Sequence, residues 1–151
     1  MMLPKITALL LLLLCIRASA APPSALSVVP HAGTVIASAS TAYWQFAPRS
    51  ESDETPLTHT FLVRNNTKTT LTVERVAVSC DCVQTQISES RSLPVRIAPG
   101  QTVPVQVTLN LRRLVPGPVS KSVWIYLHGG GDDGLRLEIR GTVRDESPSS
   151  H

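Results

Sequence analysis

The stretch Leu135-Arg136-Leu137-Glu138-Ile139-Arg140-Gly141-Thr142-Val143 indicates the fold class of this chain. Apolar or small residues hold every odd position and polar residues every even one, the period of two expected of a half-buried β-strand. The same alternation runs from Val123 to His128 and from Val103 to Asn110. The run Gly129-Gly130-Gly131-Asp132-Asp133-Gly134 lies between two of these segments and is typical of a hairpin loop.

Further towards the N-terminus the alternation changes parity. Leu71 and Val73 share one parity, whereas Val76 and Val78 share the other. Since opposite parities point to opposite faces of a strand, one extra residue must be accommodated between the two pairs. The sequence therefore predicts a β-bulge at Glu74-Arg75.

Short strands separated by turns account for most of the chain, and no window shows a sustained helical period. About seven such strands predict an all-β, immunoglobulin-like β-sandwich over residues 41–144. Because proline cannot donate a ladder hydrogen bond, Pro104 places its strand at a sheet edge, or makes the strand begin late.

The first twenty residues have the pattern of a secretory signal peptide. Lys5 precedes an apolar run from Ile6 to Ile16, and Ala18-Ser19-Ala20 supplies small residues before a cleavage site after Ala20. A transmembrane anchor is the alternative, but a spanning helix needs roughly 20 apolar residues. We therefore expect a periplasmic or secreted protein that does not span the membrane once residues 1–20 are removed.

The segments that flank the predicted sandwich are rich in small and polar residues. Residues 21–40 contain many Ala, Ser and Pro and are expected to form a flexible lead-in. Residues 145–151 are polar, contain Pro148, and are expected to form a disordered tail.

Charge and motifs exclude several function classes. Without Lys5 and Arg17 the fourteen basic residues become twelve, against eleven acidic ones, so the formal charge falls from +3 to +1. No Lys/Arg cluster exceeds Arg112-Arg113, so nucleic-acid binding is not expected. His128-Gly129-Gly130-Gly131 matches a lipase oxyanion-hole string, but no Gly-x-Ser-x-Gly elbow accompanies it. We expect neither catalysis nor a cofactor.

Cys80 and Cys82 are the only cysteines beyond the predicted leader, and they leave three interpretations open. A disulfide would require a bend at Asp81, because residues i and i+2 of a straight strand lie about 6.8 Å apart. A soft metal such as Cu(I) would accept two thiolates, and His59 or His128 could add a donor if the fold brings it near. Alternatively, both cysteines are structural and partly buried.

Trp124 and Tyr126 form a candidate interaction patch. If Val123, Ile125 and Leu127 face the core, the two aromatic residues face outward on one strand. Exposed aromatic side chains are enriched at binding hot spots. The alternative is that another segment of the chain covers this face.

Several short motifs, in order, resemble bacterial domain-of-unknown-function family 1573. They are His59-Thr60-Phe61, Asn65, Leu71, Ser79-Cys80-Asp81-Cys82, Ala98-Pro99-Gly100, Gly117, Ser120-Lys121 and the segment from Leu137 to Val143. The family usually has glycine where this chain has Asp81. The resemblance implies an exported immunoglobulin-like sandwich, related to domains of the major-sperm-protein and ciliary ASH type, with no catalytic residues.

Two functions follow as hypotheses. The first is a non-enzymatic module that binds an unidentified protein or envelope component through a sheet face or an edge strand. The second is a thiol-based copper-binding or redox accessory protein that uses Cys80 and Cys82.

Overall fold

A computed structural model of the chain describes residues 24–90, 92–130 and 134–145. The predicted signal peptide and nearly all of the predicted tail lie outside these residues. The strands are β1 Leu26–Val29, β2 Thr34–Ser38, β3 Thr41–Gln45, β4 Arg49–Ser50, β5 Leu57–Asn65, β6 Leu71–Val78, β7 Val83–Ile87, β8 Val95–Ile97, β9 Thr102–Leu109, β10 Gly117–Leu127 and β11 Leu135–Arg144. The 3₁₀ turn Leu111–Arg113 follows β9.

The strands form two sheets that pack as a sandwich. The smaller sheet has the order β1-β5-β9-β7. The larger sheet has the order β2-β3-β11-β10-β6-β8, and the short strand β4 also pairs with β11. The predicted immunoglobulin-like sandwich is confirmed, although the described residues form eleven strands where about seven were expected. Nowhere in the described part of the chain does a helix combine the length and the apolar character that crossing a bilayer requires.

The alternating residues fill the space between the sheets as the sequence predicts. In β9 and β11 the odd-numbered residues are buried, and most even-numbered residues face away from the core. The largest fully buried side chains come from both sheets and include Phe61, Leu109, Ile125, Leu137 and Ile139. Burial of apolar surface at roughly 25 cal/mol per Å² is therefore the main force that holds the sheets together.

The bulge predicted at Glu74-Arg75 is present. Tyr126 of β10 pairs with Arg75, but the next residue, Leu127, pairs with Val73, so Glu74 has no opposite residue. The extra residue lets Val73 and Val76 both face the core while Arg75 faces away from it.

The expectation that residues 21–40 form a flexible lead-in is wrong for the part that the structure describes. Strand β1 pairs with β5, where Leu26 lies opposite Asn65. Strand β2 forms a hairpin with β3. Leu26 and Val28 are buried on alternate positions, so even a four-residue strand contributes a side-chain pair to the core.

Neither alternative predicted from Pro104 holds, because β9 lies between β5 and β7 and already begins at Thr102, ahead of the proline. The β7 ladder ends where Ile87 pairs with Val105, one residue short of Pro104. The Pro104 carbonyl accepts a hydrogen bond from the Ser88 N–H at 2.7 Å on that side. The missing N–H therefore falls just beyond the end of the neighbouring strand, where no ladder partner requires it.

Strands from the N-terminal and C-terminal parts of the chain are neighbours in the larger sheet. Strand β3 runs parallel to β11, and Tyr43 lies opposite Glu138. Strand β11 is thus held between β3 on one side and β10 on the other.

Candidate functional site

The surface of the larger sheet that faces away from the core carries the predicted patch. Residues directly opposite one another share a face, so the register places the side chains of five strands on one surface. This outer face consists of Arg96 in β8, Arg75 in β6, Trp124 and Tyr126 in β10, Arg136, Glu138 and Arg140 in β11, and Tyr43 in β3.

Each aromatic ring of the outer face has an arginine over it. The distances from guanidinium carbon to ring centroid are 3.7 Å for Arg75 over Tyr126, 4.2 Å for Arg140 over Tyr43 and 5.7 Å for Arg136 over Trp124. A cation within about 6 Å of a ring centroid is attracted by the ring quadrupole, by roughly 0.5–1 kcal/mol at exposed sites. The pairs hold both kinds of side chain in defined positions on an otherwise open surface.

Glu138 is the central side chain of the face and is only 3% exposed. Its Oε1 lies 2.7 Å from Nε of Arg136, and its Oε2 lies 2.7 Å from Nε of Arg140. Arg136 also donates to the Ser122 hydroxyl at 3.2 Å. A buried carboxylate is tolerated because two guanidinium groups compensate its charge and occupy its oxygens.

The predicted orientation of Trp124 and Tyr126 agrees with the register of β10, but the rings are half-buried rather than fully exposed. Arginine side chains approach them from the neighbouring strands. The arginines beside these rings were not predicted from the sequence. Part of this arrangement could have been predicted, because Arg136 and Arg140 both hold even positions and the alternation places them on the polar face of one strand.

Cys80 and Cys82 form a disulfide at the tip of the turn between β6 and β7. Their Cα atoms lie 5.2 Å apart, and the Val83 N–H donates to the Cys80 carbonyl, which gives the bend at Asp81 that a bridge requires. Arg113 binds the exposed Asp81 carboxylate at 2.6 Å. Cys82 is buried and Cys80 is half-buried.

The metal interpretation of Cys80 and Cys82 gains no support from their surroundings. A bridged pair presents no thiolate, which is the form that binds metal. His128 lies beside Thr72, at the end of β6 that is remote from Cys80, and His59 packs against Trp44. Over residues 24–90, 92–130 and 134–145, no three His, Cys, Asp or Glu side chains are grouped to hold a metal ion.

His59 is a buried titratable residue between the sheets. Its ring stacks on Trp44, with centroids 4.7 Å apart and planes 6° apart, and meets the edge of Phe61 at 4.7 Å. The Nε2 atom lies 2.8 Å from the Thr34 hydroxyl. Burial, with a smaller contribution from the nearby charge of His31, lowers the pKa of His59 below its ordinary value of 6.5.

Lowering the pH from 7 to 5 is expected to reduce the free energy of unfolding through His59. At a pH between the lowered pKa of folded His59 and 6.5, the unfolded state binds more protons than the folded state. The free energy of unfolding therefore rises with pH across this window, and the contribution of His59 no longer changes above it. The slope is at most about 1.4 kcal/mol per pH unit. Urea unfolding of wild type and His59→Phe over this range tests the effect. Phenylalanine preserves a stacked ring but cannot titrate, so equal pH dependence of both proteins would contradict the prediction.

The two packed sheets and the parallel pairing of β3 with β11 define the class of this protein as an immunoglobulin-like β-sandwich. The family model described as "Protein of unknown function (DUF1573)" matches residues 42–143. The chain belongs to this family, which confirms the resemblance seen in its motifs. No curated protein matches the chain.

Solved structures show the same fold at low sequence identity. A protein of unknown function from Porphyromonas gingivalis W83 is 10% identical, with a TM-score of 0.50 over 66% of this chain and 43% of its own. The secreted serine protease VesC from Vibrio cholerae is 13% identical, with a TM-score of 0.50 over 70% of this chain and 23% of its own. The chain thus spans less than half the length of either protein.

A smaller domain is similar over nearly all of its length. The ASH/PapD-like domain 7 of human CEP192 is 10% identical, with a TM-score of 0.48 over 87% of this chain and 94% of its own.

Proposed function

We propose that this chain is an exported, non-enzymatic immunoglobulin-like module that binds a protein or another component of the cell envelope through its outer face. The observation that carries the proposal is the set of three aromatic rings, each paired with an arginine, on one continuous sheet surface. Tyrosine, tryptophan and arginine are the residue types most enriched at binding hot spots. The signal-peptide pattern of residues 1–20 supports export.

The arrangement of these groups favours binding over chemistry. Arginine and tryptophan side chains supply donors and apolar area, but none of them is a nucleophile paired with a base. The guanidinium groups that Glu138 holds are fixed before a partner arrives, so less conformational entropy is lost on binding. A sheet face of this kind suits the surface of another macromolecule.

Photocrosslinking in the exporting cell tests the proposal. A photoreactive amino acid at position 120 probes the outer face, because Ser120 is exposed and lies opposite Arg140. We expect a discrete crosslinked product that disappears in the double variant Trp124→Ser with Tyr126→Ser. The same photoreactive residue at Gln106, exposed on the smaller sheet, is the matched control and should give no such product.

Loss of the product must not come from unfolding. A second variant, Thr142→Glu, adds a charged side chain at an exposed position of β11 without removing any ring, and it should also abolish the product. Unfolding curves of both variants should stay cooperative. An unchanged product in both folded variants would refute the outer face as the binding surface.

A further inference from the structure

We infer that the partner bound by the outer face is acidic, a protein segment in which carboxylates are interspersed with apolar side chains. This inference rests on the proposed function, since it names the class of partner for the same surface. It is based on the net positive charge of the outer face and on the hydrogen-bonding capacity of Arg75 and Arg96.

The fold concentrates positive charge that is scattered in the sequence. Four arginines from three strands belong to the outer face, and the carboxylate of Glu138 lies among them. Glu74, at the bulge next to Arg75, adds a second carboxylate at the rim of the face. These six side chains carry a formal charge of +2, while residues 21–151 together carry only +1. The remainder of those residues is therefore slightly negative, so an acidic partner is attracted to this side of the sandwich in particular.

Arg75 and Arg96 have unused capacity to bind carboxylates. Both are exposed, and within the described residues no carboxylate pairs with either. Arg75 lies over the Tyr126 ring, which fixes the guanidinium while its N–H groups remain available in the guanidinium plane. A planar guanidinium held in this way matches a carboxylate through two parallel hydrogen bonds.

The same face is poorly suited to nucleic acid or an anionic membrane. A nucleic-acid backbone presents dense, regular charge, whereas two of the four arginines on this face, Arg136 and Arg140, are already paired with Glu138. Recognition of anionic lipid relies on clusters of roughly 4–8 basic residues, whereas only Arg75 and Arg96 of this face have no carboxylate partner among the described residues. The alternation of arginines and rings instead matches an occupant that offers both carboxylates and apolar groups.

Peptide binding to the purified mature protein tests this inference directly. The probe is a short synthetic peptide of repeated Glu-Leu-Ser triplets, and its matched control has Gln in place of every Glu. We expect the acidic peptide to bind at least about tenfold more tightly, and increasing salt to weaken its binding. Arg75→Gln combined with Arg96→Gln should reduce its affinity by roughly tenfold or more. Equal binding of the two peptides, or binding of neither, would overturn the inference.

A control pair of arginines separates this effect from net charge. Arg64→Gln with Arg112→Gln removes two exposed arginines that lie away from the outer face, and it should leave peptide affinity within about twofold. Phosphatidylglycerol vesicles and a single-stranded oligonucleotide complete the set of probes. Tighter binding of either, with the same dependence on Arg75 and Arg96, would overturn the acidic partner in favour of that class.

The cellular crosslink at position 120 distinguishes failure of this inference from failure of the proposed function. With an acidic partner, Arg75→Gln plus Arg96→Gln should lower the crosslink strongly, as Trp124→Ser plus Tyr126→Ser does. If the crosslink depends on the aromatic pair but not on the arginines, the outer face binds a partner that is not acidic. If it depends on neither, the proposed function fails as well.

Discussion

The substitution Asn65→Asp is expected to lower the free energy of unfolding by about 3 kcal/mol. Asn65 is fully buried, and its amide NH₂ donates to the carbonyls of Thr69 at 2.8 Å and Ile97 at 2.9 Å. Its amide oxygen accepts from the backbone N–H and the hydroxyl of Thr67. Aspartate has nearly the same shape, but it turns both donors into an acceptor that faces two carbonyl oxygens.

Chemical denaturation of the purified protein measures this loss, and the neighbouring residue supplies the control. Asn66 is exposed and its NH₂ makes one hydrogen bond, to the Ser24 carbonyl, so Asn66→Asp should change stability by less than about 1 kcal/mol. The Asn65→Asp deficit should shrink as the pH falls, because a protonated carboxyl regains one donor. Equal effects of the two substitutions would show that the hydrogen bonds of Asn65 contribute little.

Gly141→Ala is expected to destabilise the protein by about 2–3 kcal/mol through overpacking. Gly141 lies on the core side of β11, and a Cβ atom there would overlap the Phe46 ring. The ring cannot easily retreat, because Phe46 is only 4% exposed and its backbone N–H donates to the Arg140 carbonyl at 2.9 Å. Close approach of a neighbouring ring, not a special backbone conformation, therefore requires glycine at this position.

A double-mutant cycle identifies the cause of that loss. Phe46→Leu replaces the ring by a smaller aliphatic group. Gly141→Ala should therefore lower the free energy of unfolding less in that background than in wild type, with a coupling energy of about 1 kcal/mol or more. Thr142→Ala, at the exposed neighbouring position, should change stability by less than about 0.5 kcal/mol. Urea unfolding of all variants gives the values. Additive effects of the Gly141 and Phe46 substitutions would contradict the steric explanation.

Local patterns predicted the strands because each pattern reflects a local cause. The alternation of Leu135 to Val143 follows from one buried face, and the parity change around Glu74 follows from a single unpaired residue. In both cases the neighbouring residues contain the whole signal. The orientation of Trp124 and Tyr126 was predictable for the same reason.

Features that depend on distant segments were not predictable in this way. Leu26 and Val28 looked like part of a flexible lead-in because a four-residue strand has too few alternations to stand out among Ala, Ser and Pro. The position of Pro104 required knowing where β7 ends. The clustering of arginines on the outer face could not be predicted, because Arg75, Arg96 and the β11 arginines become neighbours only through the order of the strands in the sheet.

The parallel pairing of β3 with β11 bears on the order of events in folding. Tyr43 and Glu138 lie opposite one another although 95 positions separate them in the chain. Closing so long a loop costs conformational entropy before the pairing is formed, and folds dominated by distant pairings form slowly. A nascent chain that has reached only the loop after β10 lacks the strand that belongs between β3 and β10. The larger sheet can therefore be completed only after β11, Leu135–Arg144, has been synthesised.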